Sequence, residues 1–261
     1  MTDTVKLFYV ERGRGLPVVL LHGFPFDHTL WRAQDAALSD SFRIITPDLR
    51  GHGASPAPEG VYHMELLARD VLALLDDLGI ERAVWVGHSM GGYITMAALR
   101  IAPERISGIG LVATQPLADP EDRRAGRLAT AEKVLVEGSG MVAQSMIKIV
   151  FAPGFDTDSP PAQELFEVMS KTAPLGIAGS LRGMAGRPDS VETLRSANVP
   201  AVVIAGVEDQ IAALDVMQRM ASTIPGAYLV KIAGAGHIPM VEQPEVTTSA
   251  LRDFLQRLHQ D

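Results

Sequence analysis

The 261 residues contain no cysteine. A disulfide, a thiol nucleophile and a thiolate metal site are therefore excluded, and the composition fits a reducing compartment. Long apolar runs are missing as well. The longest are strand-length, far short of the roughly 20 residues a membrane helix needs. Residues 1–15 carry Asp3, Lys6, Glu11 and Arg12 and no apolar segment of signal-peptide length, so the chain reads as cytoplasmic. Basic residues are outnumbered, 23 against 31 acidic, and the formal charge of −8 argues against nucleic acid or an anionic membrane as partner. Seven histidines are scattered, and His22, His28, His52 and His63 show no paired helical or Cys/His spacing. No metal and no cofactor are expected.

What is present is an alternation of short apolar runs with amphipathic stretches. It reads as βα repeats around a mostly parallel sheet, in a chain long enough for one α/β domain and too short for two. The runs are Lys6-Leu7-Phe8-Tyr9-Val10, Val18-Val19-Leu20-Leu21, Phe42-Arg43-Ile44-Ile45-Thr46 and Ala83-Val84-Trp85-Val86. Three more follow, Ile109 to Thr114, Ala201 to Gly206 and Tyr228 to Ile232. Apolar residues at helical spacing mark helices over 64–75 and 245–258. Between Thr114 and Asn198 the rhythm breaks. Helical patterns over 123–137, 141–151, 162–171 and 175–184 are separated by Gly138-Ser139-Gly140, Pro153-Gly154 and Pro160-Pro161. Met141, Met146 and Met169 in this stretch lie at helical spacing and read first as packing residues.

Gly87-His88-Ser89-Met90-Gly91 sits between the run ending at Val86 and the helical stretch beginning at Tyr93. A strand that turns at once into a helix strains the residue at its apex and exposes that side chain. The positions two before and two after must then be nearly free of side chain. Ser89 is thus a candidate nucleophile, the competing reading being a helix N-cap. A serine needs a base, and the base needs an acid to hold its tautomer. Asp209 closes the run Ala201 to Gly206, with Glu208 as a weaker rival, and His237 follows the run Tyr228 to Ile232. One oxyanion donor should be the N–H of Met90. Another should come from the loop His22-Gly23-Phe24-Pro25; Pro25 has no N–H, which leaves Phe24. His22 precedes the nucleophile and reads as a loop-ordering residue.

The chain resembles the α/β-hydrolase superfamily over nearly its whole length. The resemblance rests on His22-Gly23-Phe24-Pro25, Asp48-Leu49-Arg50-Gly51-His52-Gly53-Ala54-Ser55, Gly87-His88-Ser89-Met90-Gly91-Gly92, Glu208-Asp209 and Gly236-His237. Gly234 to Pro244 and Met184-Ala185-Gly186-Arg187-Pro188-Asp189 are similar to the small carboxylesterase and 3-oxoadipate enol-lactonase branch. The resemblance implies an α/β fold with a mostly parallel eight-stranded sheet and a helical cap inserted after the sixth strand. The core would be 1–114 and 199–261, and the cap 115–198. It implies a serine hydrolase cleaving a small-molecule ester or lactone, with Ser89, Asp209 and His237 as the triad. Phe26, Trp31 and Met240 are pocket candidates, and Phe26 and Trp31 read equally as core packing. A carboxylated enol-lactone would call for a cation from the cap, and Arg127, Lys148, Arg182 and Arg187 are available. Haloalkane dehalogenases and epoxide hydrolases carry an aspartate where this chain has Ser89, and carbon–carbon bond hydrolases an asparagine where it has His88. Perhydrolysis, and a receptor that hydrolyses its ligand slowly, would use the same residues.

Overall fold

Aliphatic runs without polar alternation become strands buried on both faces. In the computed structural model, which describes residues 4–258, they build a seven-stranded sheet. The strands are β1 (Tyr9–Arg12), β2 (Pro17–Leu21), β3 (Arg43–Pro47), β4 (Ala83–His88), β5 (Ile106–Val112), β6 (Ala201–Gly206) and β7 (Tyr228–Ile232). Their spatial order is β1-β3-β2-β4-β5-β6-β7, with β1 antiparallel to β3 and all other neighbours parallel.

The eighth strand implied by the resemblance is not found among the described residues, and the first strand begins at Tyr9 instead of Lys6. Side chains occupy the amides that a strand would have used. Val5 N–H donates to Asp70 Oδ1 at 2.9 Å and Phe8 N–H to Ser55 Oγ at 2.9 Å.

The helices are α1 (Arg32–Leu38), α2 (Met64–Asp77), α3 (Met90–Ile101), α4 (Glu121–Glu137), α5 (Gly140–Met146), α6 (Pro160–Lys171), α7 (Pro174–Ala185), α8 (Val191–Arg195), α9 (Leu214–Thr223), α10 (Pro239–Glu242) and α11 (Pro244–Leu258). One face of the sheet is covered by α2, α3 and α9 over a core that includes Leu67, Val71, Trp85, Ile94 and Met217. The other is covered by α1 and α11 over Leu20, Leu38, Ile44, Leu251 and Phe254. This is the layered solution that buries apolar helix stripes against both sheet faces.

Helices α4 to α8 lie between β5 and β6, so the excursion follows the fifth described strand and not the sixth, and its main body is α4 to α7. They pack as two pairs, α4 with α7 and α5 with α6. Met169 is fully buried in the second core, and Met141 and Met146 are half-buried packing residues. The helix read over 141–151 stops at Met146; the Val150 N–H still bonds Met146 O, but Val150 O, Phe151 O and Ala152 N–H bond outside the segment. No described helix is long and apolar enough to cross a membrane.

Candidate active site

Ser89 is the residue between β4 and α3, at φ 50° and ψ −111°, a left-handed backbone conformation that side-chain-bearing residues rarely adopt. The turn closes because two glycines allow it. A Cβ on Gly87 would lie 2.2 Å from the carbonyl oxygen of Gly91, and one on Gly91 would lie 2.4 Å from that of Leu21. The backbone is held by Ser89 N–H donating to Val112 O at 2.9 Å, and by Thr114 Oγ1 donating to Ser89 O at 2.8 Å. The Ser89 side chain makes no capping bond to α3. The N-cap reading is therefore excluded.

His237 lies past the end of β7, and its Nδ1 donates to Asp209 Oδ2 at 2.9 Å. Asp209 sits past the end of β6 with its side chain buried, and its other oxygen accepts from Ile211 N–H at 2.7 Å and Ala212 N–H at 2.9 Å. A buried carboxylate with donors on both oxygens is fixed in orientation, so it can hold the imidazole in one tautomer, Nδ1 protonated and Nε2 bare. Glu208 is exposed, and its backbone N–H donates to Ala235 O at 2.9 Å.

The loop after β2 lies directly against the serine turn. A Cβ on Gly23 would stand 2.4 Å from His88 Nδ1 and 3.0 Å from Ser89 Cβ. Phe24 follows at once and is buried, as is Met90. Both nitrogens of His22 are engaged, Nδ1 donating to Gly23 O within this loop at 2.9 Å and Nε2 accepting Leu49 N–H from the loop after β3 at 3.0 Å. Burial drives His22, His52 and His88 below the usual histidine range, His52 to about 3, so three neutral imidazoles surround the loop and the turn.

Residues 18–250 match the profile of the Alpha/beta hydrolase family. The chain belongs to this family. The hydrolase is 31% identical to 3-oxoadipate enol-lactonase 2 of Acinetobacter baylyi over 232 residues, spanning 88% of this chain and 85% of that protein. It is 31% identical to epoxide hydrolase A of Mycobacterium tuberculosis, with 98% of this chain and 96% of that protein covered. Among solved structures it is similar to a thermophilic esterase from Thermogutta terrifontis, with a TM-score of 0.95 and 39% identity over 97% of this chain and 94% of that one.

Three of the four cations considered for a substrate carboxylate are already engaged in ion pairs in this hydrolase, two of them with one carboxylate. Arg127 and Arg187 both pair with Asp119, at 2.6 and 2.9 Å, and Arg182 pairs with Glu132 at 2.8 Å. Asp119 has no exposed side-chain surface; burial would raise its carboxyl, but the two guanidiniums hold it below the usual carboxylate range. Arg187 also stacks over the Tyr93 ring at 4.1 Å. Lys148 is exposed on the surface.

Of the pocket candidates, Phe26 and Trp31 are fully buried in the second core, with the Phe26 ring 6.3 Å from that of His88. Met240 is buried in the floor of a groove of about 840 Å³ between α1 and α6 that neither Ser89 nor His237 lines. Asp27, His28 and Asp48 come together from separate loops, which the sequence spacing could not show. Their atoms are engaged internally. Asp48 accepts from His28 Nδ1 at 2.6 Å and from Ala54 N–H at 2.8 Å, and Asp27 from Thr29 N–H at 2.9 Å.

Two further groups at the site have no local sequence signature. Glu242 Oε1 accepts Gly236 N–H at 2.8 Å, and its Oε2 accepts Ala152 N–H at 2.6 Å. Gln210 Nε2 donates to Phe151 O at 3.3 Å.

Proposed function

We propose that this hydrolase cleaves uncharged carboxylic esters through an acyl-enzyme formed on Ser89. The observation that carries the reading is the strained Ser89, uncapped and flanked by clash-limited glycines, in a chain that also builds the buried Asp209–His237 pair.

His237 Nε2 takes the Ser89 proton as Oγ attacks the ester carbonyl, and Asp209 stabilises the imidazolium that results. The N–H groups of Phe24 and Met90 receive the developing oxyanion. His237 then protonates the leaving alkoxide, and in the second half it activates water to release the acid. No cofactor enters the scheme.

The excursion over 115–198 serves in this reading as a cap on a core of 1–114 and 199–261. In support, Thr172 Oγ1 donates to Pro25 O at 2.8 Å, at the end of the proposed oxyanion loop. A lactone is the second reading, favoured by the likeness to an enol-lactonase. The internally paired arginines weigh against a carboxylated lactone, because Arg127 and Arg187 are both held on the buried Asp119 and Arg182 is held on Glu132. The likeness to an epoxide hydrolase carries the fold and not the chemistry, since a serine stands at the turn.

The test is hydrolysis of p-nitrophenyl esters from acetate to decanoate by the wild type and Ser89→Ala. Multiple turnover abolished by the substitution is expected. Equal rates for the two proteins would overturn the reading.

A further inference from the structure

Three consecutive residues of the cap bond to the loops that carry the proposed acid and base. Val150 O accepts the backbone N–H of His237 at 2.8 Å. Phe151 O accepts from Gln210 Nε2, adjacent to Asp209, at 3.3 Å. Ala152 N–H donates to Glu242 Oε2 at 2.6 Å, while Glu242 Oε1 accepts Gly236 N–H at 2.8 Å. The approach is close enough that a Cβ on Gly236 would stand 2.5 Å from Ala152 N.

From this arrangement we infer that Glu242 is a positioning residue for acyl transfer, and that residues 150–152 form a fixed strut coupling the cap to His237 and Asp209. The inference rests on the serine-hydrolase reading above and adds to it a group that never touches substrate. A carboxylate is required because each of its oxygens accepts one amide. Glutamine offers a single acceptor oxygen, so its NH2 group would face an N–H on one side. One of the two loops would be released. A misplacement of about 1 Å in a reacting group lowers turnover by up to about 100-fold. The step most exposed to it is protonation of the leaving alkoxide by His237, which a poor leaving group needs and p-nitrophenolate does not.

The experiment compares full-length wild type, Glu242→Gln and Gln210→Ala on p-nitrophenyl butyrate and on methyl butyrate. Competent sites are counted by stoichiometric labelling with a fluorophosphonate. Expected for Glu242→Gln is a kcat per labelled site lower by about 10- to 100-fold, with KM within about twofold and the larger loss on methyl butyrate. Gln210→Ala, at an exposed position that folding tolerates, should show the same pattern to a smaller degree. An unchanged kcat per labelled site in Glu242→Gln, or an equal loss on both esters, would overturn the inference. If Glu242→Gln does not fold, Gln210→Ala decides alone, and wild-type kinetics on methyl butyrate would count against the strut. Failure of the underlying serine reading looks different. The wild type itself would then take no label at Ser89.

Discussion

His88 Nε2 donates to the backbone carbonyl of His237 at 2.8 Å, so the residue before the proposed nucleophile holds the residue that carries the proposed base. A carbonyl can only accept, which sets the His88 tautomer with its proton on Nε2 and leaves Nδ1 bare against Gly23. Glutamine places an amide nitrogen near the position of Nε2. His88→Gln should therefore retain most of the proposed esterase activity, whereas His88→Leu should lower kcat by about 10- to 100-fold with KM little changed. Steady-state kinetics on p-nitrophenyl butyrate distinguish the two.

Asp209 and Glu208 are neighbours in sequence with opposite surroundings. Asp209→Asn should reduce kcat by about 10⁴-fold, the size of effect seen when a triad carboxylate no longer enforces the tautomer. Glu208→Gln, at an exposed side chain, should stay within about threefold of wild type. Reversed effects would assign the acid to Glu208.

Gly23→Ala introduces a Cβ at 2.4 Å from His88 Nδ1 and 3.0 Å from Ser89 Cβ. The loop must retreat and carry with it the Phe24 N–H, the proposed oxyanion donor. Loss of one oxyanion donor lowers kcat by about 10²- to 10³-fold. Circular dichroism should remain that of a folded protein, and kcat for p-nitrophenyl acetate should fall by at least tenfold.

Arg187 is structural. Its removal leaves Asp119 as a buried charge with one partner fewer, and breaking a buried pair costs about 3–5 kcal/mol. Arg187→Met should lower Tm by several degrees without selective loss on acidic substrates. Arg182→Ala should be close to neutral in both stability and KM, since its pair with Glu132 is on the surface. A large rise in KM confined to carboxylated lactones for either variant would restore the lactonase reading.

Stability should fall in acid. His22, His52 and His88 are held below the histidine value of 6.5 by burial, so below that pH the unfolded chain binds protons that the folded one refuses. Each such group contributes a slope of about 1.4 kcal/mol per pH unit. His28 has the opposite sign. Its hydrogen bond to Asp48 raises it, so its contribution is fully present below 6.5 and is lost as the pH rises through the raised value. Tm measured from pH 5 to 9 should show a shallower acid slope in His52→Asn and a shallower alkaline decline in His28→Gln.

The elements legible in the sequence are those whose signal is local. Val18 to Leu21, Ala83 to Val86 and Ala201 to Gly206 are buried on both faces and read as unbroken apolar runs. The glycines around Ser89 announce a tight turn because no other residue fits there. What the sequence hides are pairings across long separations. Glu242 meets Ala152 across 90 positions. Asp119 meets Arg187 across a whole four-helix excursion, so a charge that reads as free for substrate is in fact spent on structure. The misplaced first strand has the same origin. Val5 and Phe8 would extend the edge if Asp70 and Ser55 did not claim their amides.

Asp119 and Arg187 stand where the polypeptide leaves the sheet and where it returns, and Ser190 N–H donates to Pro116 O at 2.9 Å beside them. Tied at its base, the excursion is, to the rest of the protein, a short bridge whatever its contour length. Loop-closure entropy changes by only about 0.6 kcal/mol for each doubling of length. Parts of the excursion clear of the tie, the strut and the Thr172–Pro25 bond can thus be lengthened or shortened while the chemistry below stays in register. Divergence in what such a scaffold accepts has a physical route that leaves how it reacts untouched.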